Sequence, residues 1–153
     1  MNPQNFFRTN KIIYFALLMG MLLFLAVSIF ISKEDLVFYL DFSEPLFLVV
    51  PVLMFGCIAA STFIPKKLLA PIKNTKDLTQ KTTVYNTSSI IKYALIEGPV
   101  LLSIVCFILT HSLYFLVFTA IGILYFVTLK PNPEKISRDL ELTYDERSEL
   151  GFK

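Results

Sequence analysis

The sequence predicts an all-α fold: a four-helix transmembrane bundle of up-down topology, with short amphipathic helices on its cytoplasmic side. Three observations carry that expectation. Hydrophobic residues make up 55% of the 153 and charged ones only 17%, with a mean hydropathy of +0.65; a soluble domain carries about 25% charged residues and shorter apolar runs. Charge-free stretches recur, each near the roughly 20 residues a helix needs to cross hydrocarbon. Lys and Arg gather in alternate connecting segments, the pattern of the positive-inside rule.

The first segment, 1–11, reads as a cytoplasmic arm carrying Arg8 and Lys11, and 12–130 reads as the transmembrane domain. Span one covers 12–32 without a charge. A cleaved signal peptide is the rival reading, but the apolar run is too long for a signal core and no A-x-A site follows. The next connection, "KEDLVFYLDFSEP", has one Lys against four acids and so belongs outside. Its Phe38, Tyr39 and Phe42 are expected near the headgroups, as an aromatic belt. Span two covers 46–64 and contains Pro51 and Gly56, with Ser43 and Glu44 ahead of Pro45 as suitable N-terminal residues.

Between Glu97 and Lys130 lie 32 uncharged residues, about 48 Å as one helix and more than the roughly 30 Å hydrocarbon core. Thr110, His111 and Ser112 divide them with a turn. The fourth span is then 113–129. The remainder is too short to cross, so the third span must begin earlier, over 90–110, with Ser88 or Ser89 as its cap. That start puts Glu97 inside the bilayer, roughly 10 Å below its surface.

The connection between spans two and three holds Lys66, Lys67, Lys73, Lys76 and Lys81 against the single acid Asp77, with Leu68, Leu69, Ile72, Leu78 and Tyr85 interleaved. This composition predicts an amphipathic helix whose five lysines contact anionic headgroups; a protein-docking loop is the alternative. In the tail, 131–153, Asn132 and Pro133 read as cap and first helical residue. Ile136 and Leu140 share a face, and Thr143 with Glu146 forms a capping box. The tail therefore reads as a helical docking element. With four spans, both termini and the middle loop face the cytoplasm.

Glu97 is the residue that raises a functional question. A carboxylate at that depth is costly when ionised. Pro99, beside Gly98, has no N–H to give the carbonyl of Leu95 and is expected to kink the helix, as is Pro51 in span two. Glu97 can then act as polar glue at the kinked turn, with Tyr93 one turn earlier sharing the bond. Matching depths across the bundle names Ser61 and Tyr125 as its best-placed partners. The competing reading makes Glu97 a proton-exchanging group of a carrier. A single intramembrane acid, accompanied only by the shallow Lys92, favours glue; Lys92 is expected to snorkel to the headgroups.

Small residues recur at four-residue spacing in Ala16 with Gly20, Gly56 with Ala60, and Ala94 with Gly98. They are expected to pack helices within the bundle, with homodimerisation as the alternative. Cys57 and Cys106 fall at different depths and read as unpaired packing residues. The only histidine, His111, reads as a turn residue, since one His makes no metal site. No Gly-rich phosphate loop, His/Cys cluster or nucleophile elbow is present. The net charge of +2 gives no basis for a nucleic-acid partner. No enzyme activity, cofactor or metal is expected; the bilayer is the expected partner, with a protein partner through the loop and tail.

The segments "IIYFALLMG", "SSIIKYALIEGP", "ILTHSLYFL" and "LKPNPEKISRDLEL" together resemble a group of small, mostly uncharacterised four-span inner-membrane proteins of Bacteroidota. That resemblance implies location and topology and carries no activity or catalytic residue. Rotary-ATPase proteolipids and small multidrug-resistance transporters are poorer likenesses. The first group consists of Gly/Ala-rich repeats, whereas only five Gly occur here; the second keeps its Glu in span one and uses Trp, which this chain lacks. The function expected is that of a structural or accessory subunit, with a small oligomeric proton-coupled carrier as the alternative.

Overall fold

A computed structural model describes residues 6–32, 36–41, 43–72, 75 and 77–152. Six α-helices follow in order: α1 Phe6–Ser32, α2 Leu46–Leu69 with a 3-10 turn Ala70–Ile72, α3 Leu78–Thr110, α4 Leu113–Thr128, α5 Pro133–Asp139 and α6 Tyr144–Glu149. No strand occurs among the described residues; Val37 and Ser112 form one isolated bridge. The segments Phe6–Ser32, Leu46–Ile72 and Leu78–Thr110 are each long and apolar enough to cross a membrane. The helix α4 passes that test only together with α5, at an angle of 79° across the break between them. Its 16 residues span only about 24 Å, short of the roughly 30 Å core. The chain is thus an all-α, multi-pass membrane protein with three to four candidate spans.

Local chemistry sets the helix ends. The Asp77 carboxylate accepts from the N–H of Thr79 (2.9 Å) and of Gln80 (3.3 Å), which begins α3 at Leu78 rather than at residue 90. Ser88 and Ser89, expected as caps, are instead buried inside that helix. In α2, Ser43 and Glu44 supply no side-chain cap; Pro45 holds the cap position. The tail caps are those the sequence names. Asn132 accepts from Glu134, Pro133 opens α5, and Thr143 and Glu146 form the full capping box of α6. The α3–α4 turn is closed by His111 in the left-handed region (φ 55°) and by Ser112, which caps α4. Both α2 and α3 are continuous through their prolines, Pro51 and Pro65 in the first and Pro99 in the second.

Central to the packing is α3, which touches α1, α2 and α4. Its buried stripe, Tyr93, Ile96, Val100, Ile104 and Phe107, follows the three- and four-residue spacing of one helix face. Three cores result. In the middle, Tyr14, Met21, Met54, Tyr93, Ile96, Val100 and Phe126 pack together. At the α3–α4 turn, Phe47, Val50, Cys106, Phe107 and Phe115 do so, with Tyr39 laid against them. Tyr39 is half-buried there, and its hydroxyl donates to the carbonyl of Thr110 (3.3 Å). Phe38 is exposed, and Phe42 lies outside the described residues.

The third core corrects the reading of the middle loop. Phe6, Leu69, Ile72, Leu78, Tyr85, Ile136, Leu140, Leu150 and Phe152 form one buried cluster at the end of the bundle that carries the N-terminal arm and the tail. Of the interleaved apolar residues expected to rest on lipid headgroups, Leu69, Ile72, Leu78 and Tyr85 pack against the tail instead. Burying an aliphatic side chain in protein stabilises by about 1.5–3 kcal/mol. Ile136 and Leu140, both fully buried, therefore hold α5 in place. Lys81, also expected at the headgroups, is 4% exposed; its ammonium donates to the Glu146 carboxylate at 2.8 Å.

Candidate functional site

Glu97 lies on α3, at the margin between its buried stripe and the outward face that carries Ala94 and Gly98. It is half-buried. The partners expected for it are engaged elsewhere. Ser61 donates to the carbonyl of Ile58 at 2.7 Å and sits 3.1 Å from the Tyr125 hydroxyl. Tyr93 donates to the Asn10 side-chain oxygen at 3.4 Å. Ser61, Tyr125 and Tyr93 thus form two separate polar pairs, and Glu97 makes no hydrogen bond or ion pair with a described residue. The expected glue at a kinked turn is not made among the described residues. Sequence depth put the four residues near one level; azimuth around each helix separates them.

The interior beside Glu97 is apolar and aromatic. Tyr14 stacks on Phe126 with ring centres 5.2 Å apart, and Tyr93 meets both rings edge-on or tilted, at 5.7 and 5.6 Å. The Tyr14 hydroxyl donates to the carbonyl of Val127 (3.2 Å). Gly122 on α4 admits Met54 and Val100 so closely that a Cβ there would overlap both side chains. Ser103 donates to the carbonyl of Phe115 (2.6 Å). The core polar groups Ser61, Tyr125, Tyr14 and Ser103 therefore find protein partners, as a low-dielectric interior requires.

Gly20, Gly56 and Gly98 behave differently from Gly122. A Cβ added at any of the three meets nothing within 4 Å, and Ala16 and Ala94 are exposed with them. Two of the small pairs, Ala16 with Gly20 and Ala94 with Gly98, face away from the bundle, which corrects the expectation that they pack its own helices. Gly122, not singled out in the sequence, is the glycine that does so.

A second site was only half legible. Where α2 ends, Thr62, Pro65, Lys66 and Leu69 face Lys92 of α3 and Lys135, Arg138, Asp139 and Glu141 of the tail across a cavity of about 700 Å³. Lys66 and Lys92 stand near the expected headgroup level. Lys135 and Arg138, an i, i+3 pair on α5, reach the cavity because the chain turns at Pro131 and folds α5 back. Lys67 is exposed, close to the expected headgroup contact; Lys73 and Lys76 lie outside the described residues. Cys57 and Cys106 are free thiols. Among the described residues no group of His, Cys, Asp and Glu has the arrangement to hold a metal. No protein-family model, no curated protein and no solved structure matches this chain.

Proposed function

We propose that this chain is an accessory subunit of a bacterial inner-membrane complex, without catalytic activity of its own, that crosses the membrane four times with both termini inside. The side-chain pairings support alternating helix directions. Phe6 meets Tyr85 and Tyr14 meets Tyr93, so α1 and α3 run the same way. Phe47 meets Phe115 and Ser61 meets Tyr125, so α2 and α4 also share a direction. Ser103 beside Phe115 and Tyr93 beside Phe126 set α4 against α3. Basic residues at the arm, middle loop and tail favour the cytoplasmic side for that end.

The observation that carries the accessory role is the division between a filled interior and an open exterior. At the level of Glu97, Tyr14, Tyr93, Phe126, Met54 and Val100 fill the bundle, while Gly20, Gly56 and Gly98 stand clear on its outside. Small residues on a lipid-facing helix let a neighbouring backbone approach closely. The expected result in mild detergent is co-purification of one stoichiometric membrane partner, reduced by Gly98→Leu in a chain that still folds. Isolation of a monomer without a partner from native membranes would overturn the reading; a dimer of this chain alone would assign the surface to a second copy. Orientation is tested with single cysteines in a Cys-free background: an impermeant thiol reagent added outside should modify one at Leu40 and spare one at Arg138.

One observation favours the alternative, a proton-coupled carrier acting as an oligomer. Glu97 is half-buried at the bundle margin and makes no hydrogen bond or ion pair with a described residue, so an adjoining subunit can complete a site around it.

A further inference from the structure

The cavity between α2, α3 and α5 is lined by four bases, Lys66, Lys92, Lys135 and Arg138, and two acids, Asp139 and Glu141. Four positive charges against two negative leave the lining at a formal +2. Lys66 on α2, Lys92 on α3 and Lys135 on α5 thus face one space from three different helices. Gathering like charges in a partly buried space costs free energy unless an anion offsets it. The volume, about 700 Å³, falls within the roughly 300–1,000 Å³ of small-molecule sites.

We infer that this cavity binds a phosphate-bearing anion, with the Arg138 guanidinium and the Lys66, Lys92 and Lys135 ammonium groups around its oxygens. Arginine offers a planar fork to two phosphate oxygens, and lysines add point charges. Pro65 and Leu69 form an apolar wall on α2 beside Thr62, in the same turns as the exposed Phe63 and Ile64. That wall suits the glycerol and first acyl carbons of an anionic phospholipid, whose headgroup sits at the depth of Lys66. A soluble phosphate ester would use the same four bases without the wall. The site depends on the docked tail, because Lys135 and Arg138 are placed by the burial of Ile136 and Leu140. It is independent of the accessory role: a partner-free monomer can still bind the anion.

The test uses the full chain in neutral detergent, with thermal unfolding as the readout. Mixed micelles containing phosphatidylglycerol should raise the unfolding temperature and phosphatidylcholine should not. The double variant Lys135→Gln with Arg138→Gln should need about ten-fold more phosphatidylglycerol for the same effect, the loss expected for charge-assisted hydrogen bonds. Lys66→Gln, on α2 and apart from the tail, should weaken binding even if the double variant loosens α5. Lys67→Gln, adjacent to the cavity residues but outside the cavity, should bind as the parent does. Stabilisation by inorganic pyrophosphate alone, lost in the same variants, would support the anion site and assign its ligand to the soluble phase. If neither probe stabilises the parent, or if Lys67→Gln weakens binding as much as Lys66→Gln, the inference is wrong.

Discussion

The ammonium of Lys81 lies 2.8 Å from the Glu146 carboxylate and ties the first turn of α3 to the last helix of the chain. The two side chains are 5% and 16% exposed. Glu146 also accepts from the Thr143 N–H at 2.8 Å and the Thr143 hydroxyl at 3.1 Å. One carboxylate thus closes the α6 capping box and neutralises a buried lysine. Burial opposes ionisation of Glu146, but the hydrogen bond from Lys81, those from Thr143 and the Lys81 charge outweigh it. Its carboxyl is held below the usual value.

Breaking the pair should release the tail, and the two halves should not cost the same. Glu146→Gln leaves an ammonium buried against a neutral amide, a loss of about 3 kcal/mol. Lys81→Met leaves a carboxylate that can still reach water and keep Thr143, a loss of about 1 kcal/mol. The pH dependence follows from a folded carboxyl pKa below the unfolded one. The contribution is full above about pH 4.3 and declines as pH falls from there through the folded value. Hydrogen exchange of the α6 amides and proteolysis at Arg147 read both effects. Equal protection in the two variants would refute the asymmetry.

Gly122 and Gly98 should respond oppositely to a methyl group. At Gly122 the added Cβ strikes Val100 and Met54. Met54 can bend away, but Val100 is β-branched and stiff, so Gly122→Ala should cost about 1–3 kcal/mol in detergent unfolding. At Gly98 the methyl meets open space, and the isolated chain should change by less than about 1 kcal/mol. Comparable destabilisation at both positions would mean that Gly98 faces protein within the chain.

His111 holds the left-handed position that ends α3, at φ 55°, and its Nδ1 is buried without a hydrogen-bond partner among the described residues. The backbone carries the useful contacts there: the His111 carbonyl accepts from Val37, and its N–H donates to Phe107. A glycine keeps those bonds and removes the Cβ penalty. His111→Gly should therefore stabilise by about 0.5–1 kcal/mol after its own entropy cost, seen as a higher unfolding temperature, whereas His111→Val should lower it.

The apolar spans and the tail helices were legible because their signals are local. Asn132 with Pro133 and Thr143 with Glu146 act within one turn, and composition alone marks hydrocarbon-crossing lengths. Asp77, followed by Thr79 and Gln80, is an equally local signal, but bilayer thickness, which places the start of the third span near residue 90, ignores a cap standing in the water phase. Nothing local marks Lys81 as paired, because its partner is 65 residues away. Ser61 and Tyr125 were matched to Glu97 by depth, and depth fixes a level without fixing a direction around the helix. The same limit applies to Ala94 and Gly98. Their spacing shows that they share a face, while only the packing of α3 against its neighbours shows that the face points outward.

Glu97 remains the residue whose substitution separates the accessory and carrier roles. It has no hydrogen bond to lose within the described chain, so Glu97→Gln and Glu97→Ala should both unfold within about 0.5 kcal/mol of the parent in isolation. In an assembly the two should differ. If a neighbouring helix seated on Ala94 and Gly98 offers a polar group, Gln keeps the bond, and Ala loses about 1 kcal/mol of association. A carrier would behave otherwise, because an amide cannot titrate: Gln would abolish activity as fully as Ala. Co-purification of the partner and growth of a complemented deletion strain are the two readouts. We expect Glu97→Gln to retain both and Glu97→Ala to weaken partner recovery. A folded, partner-bound Glu97→Gln chain without cellular function would instead establish that the proton on Glu97 is used.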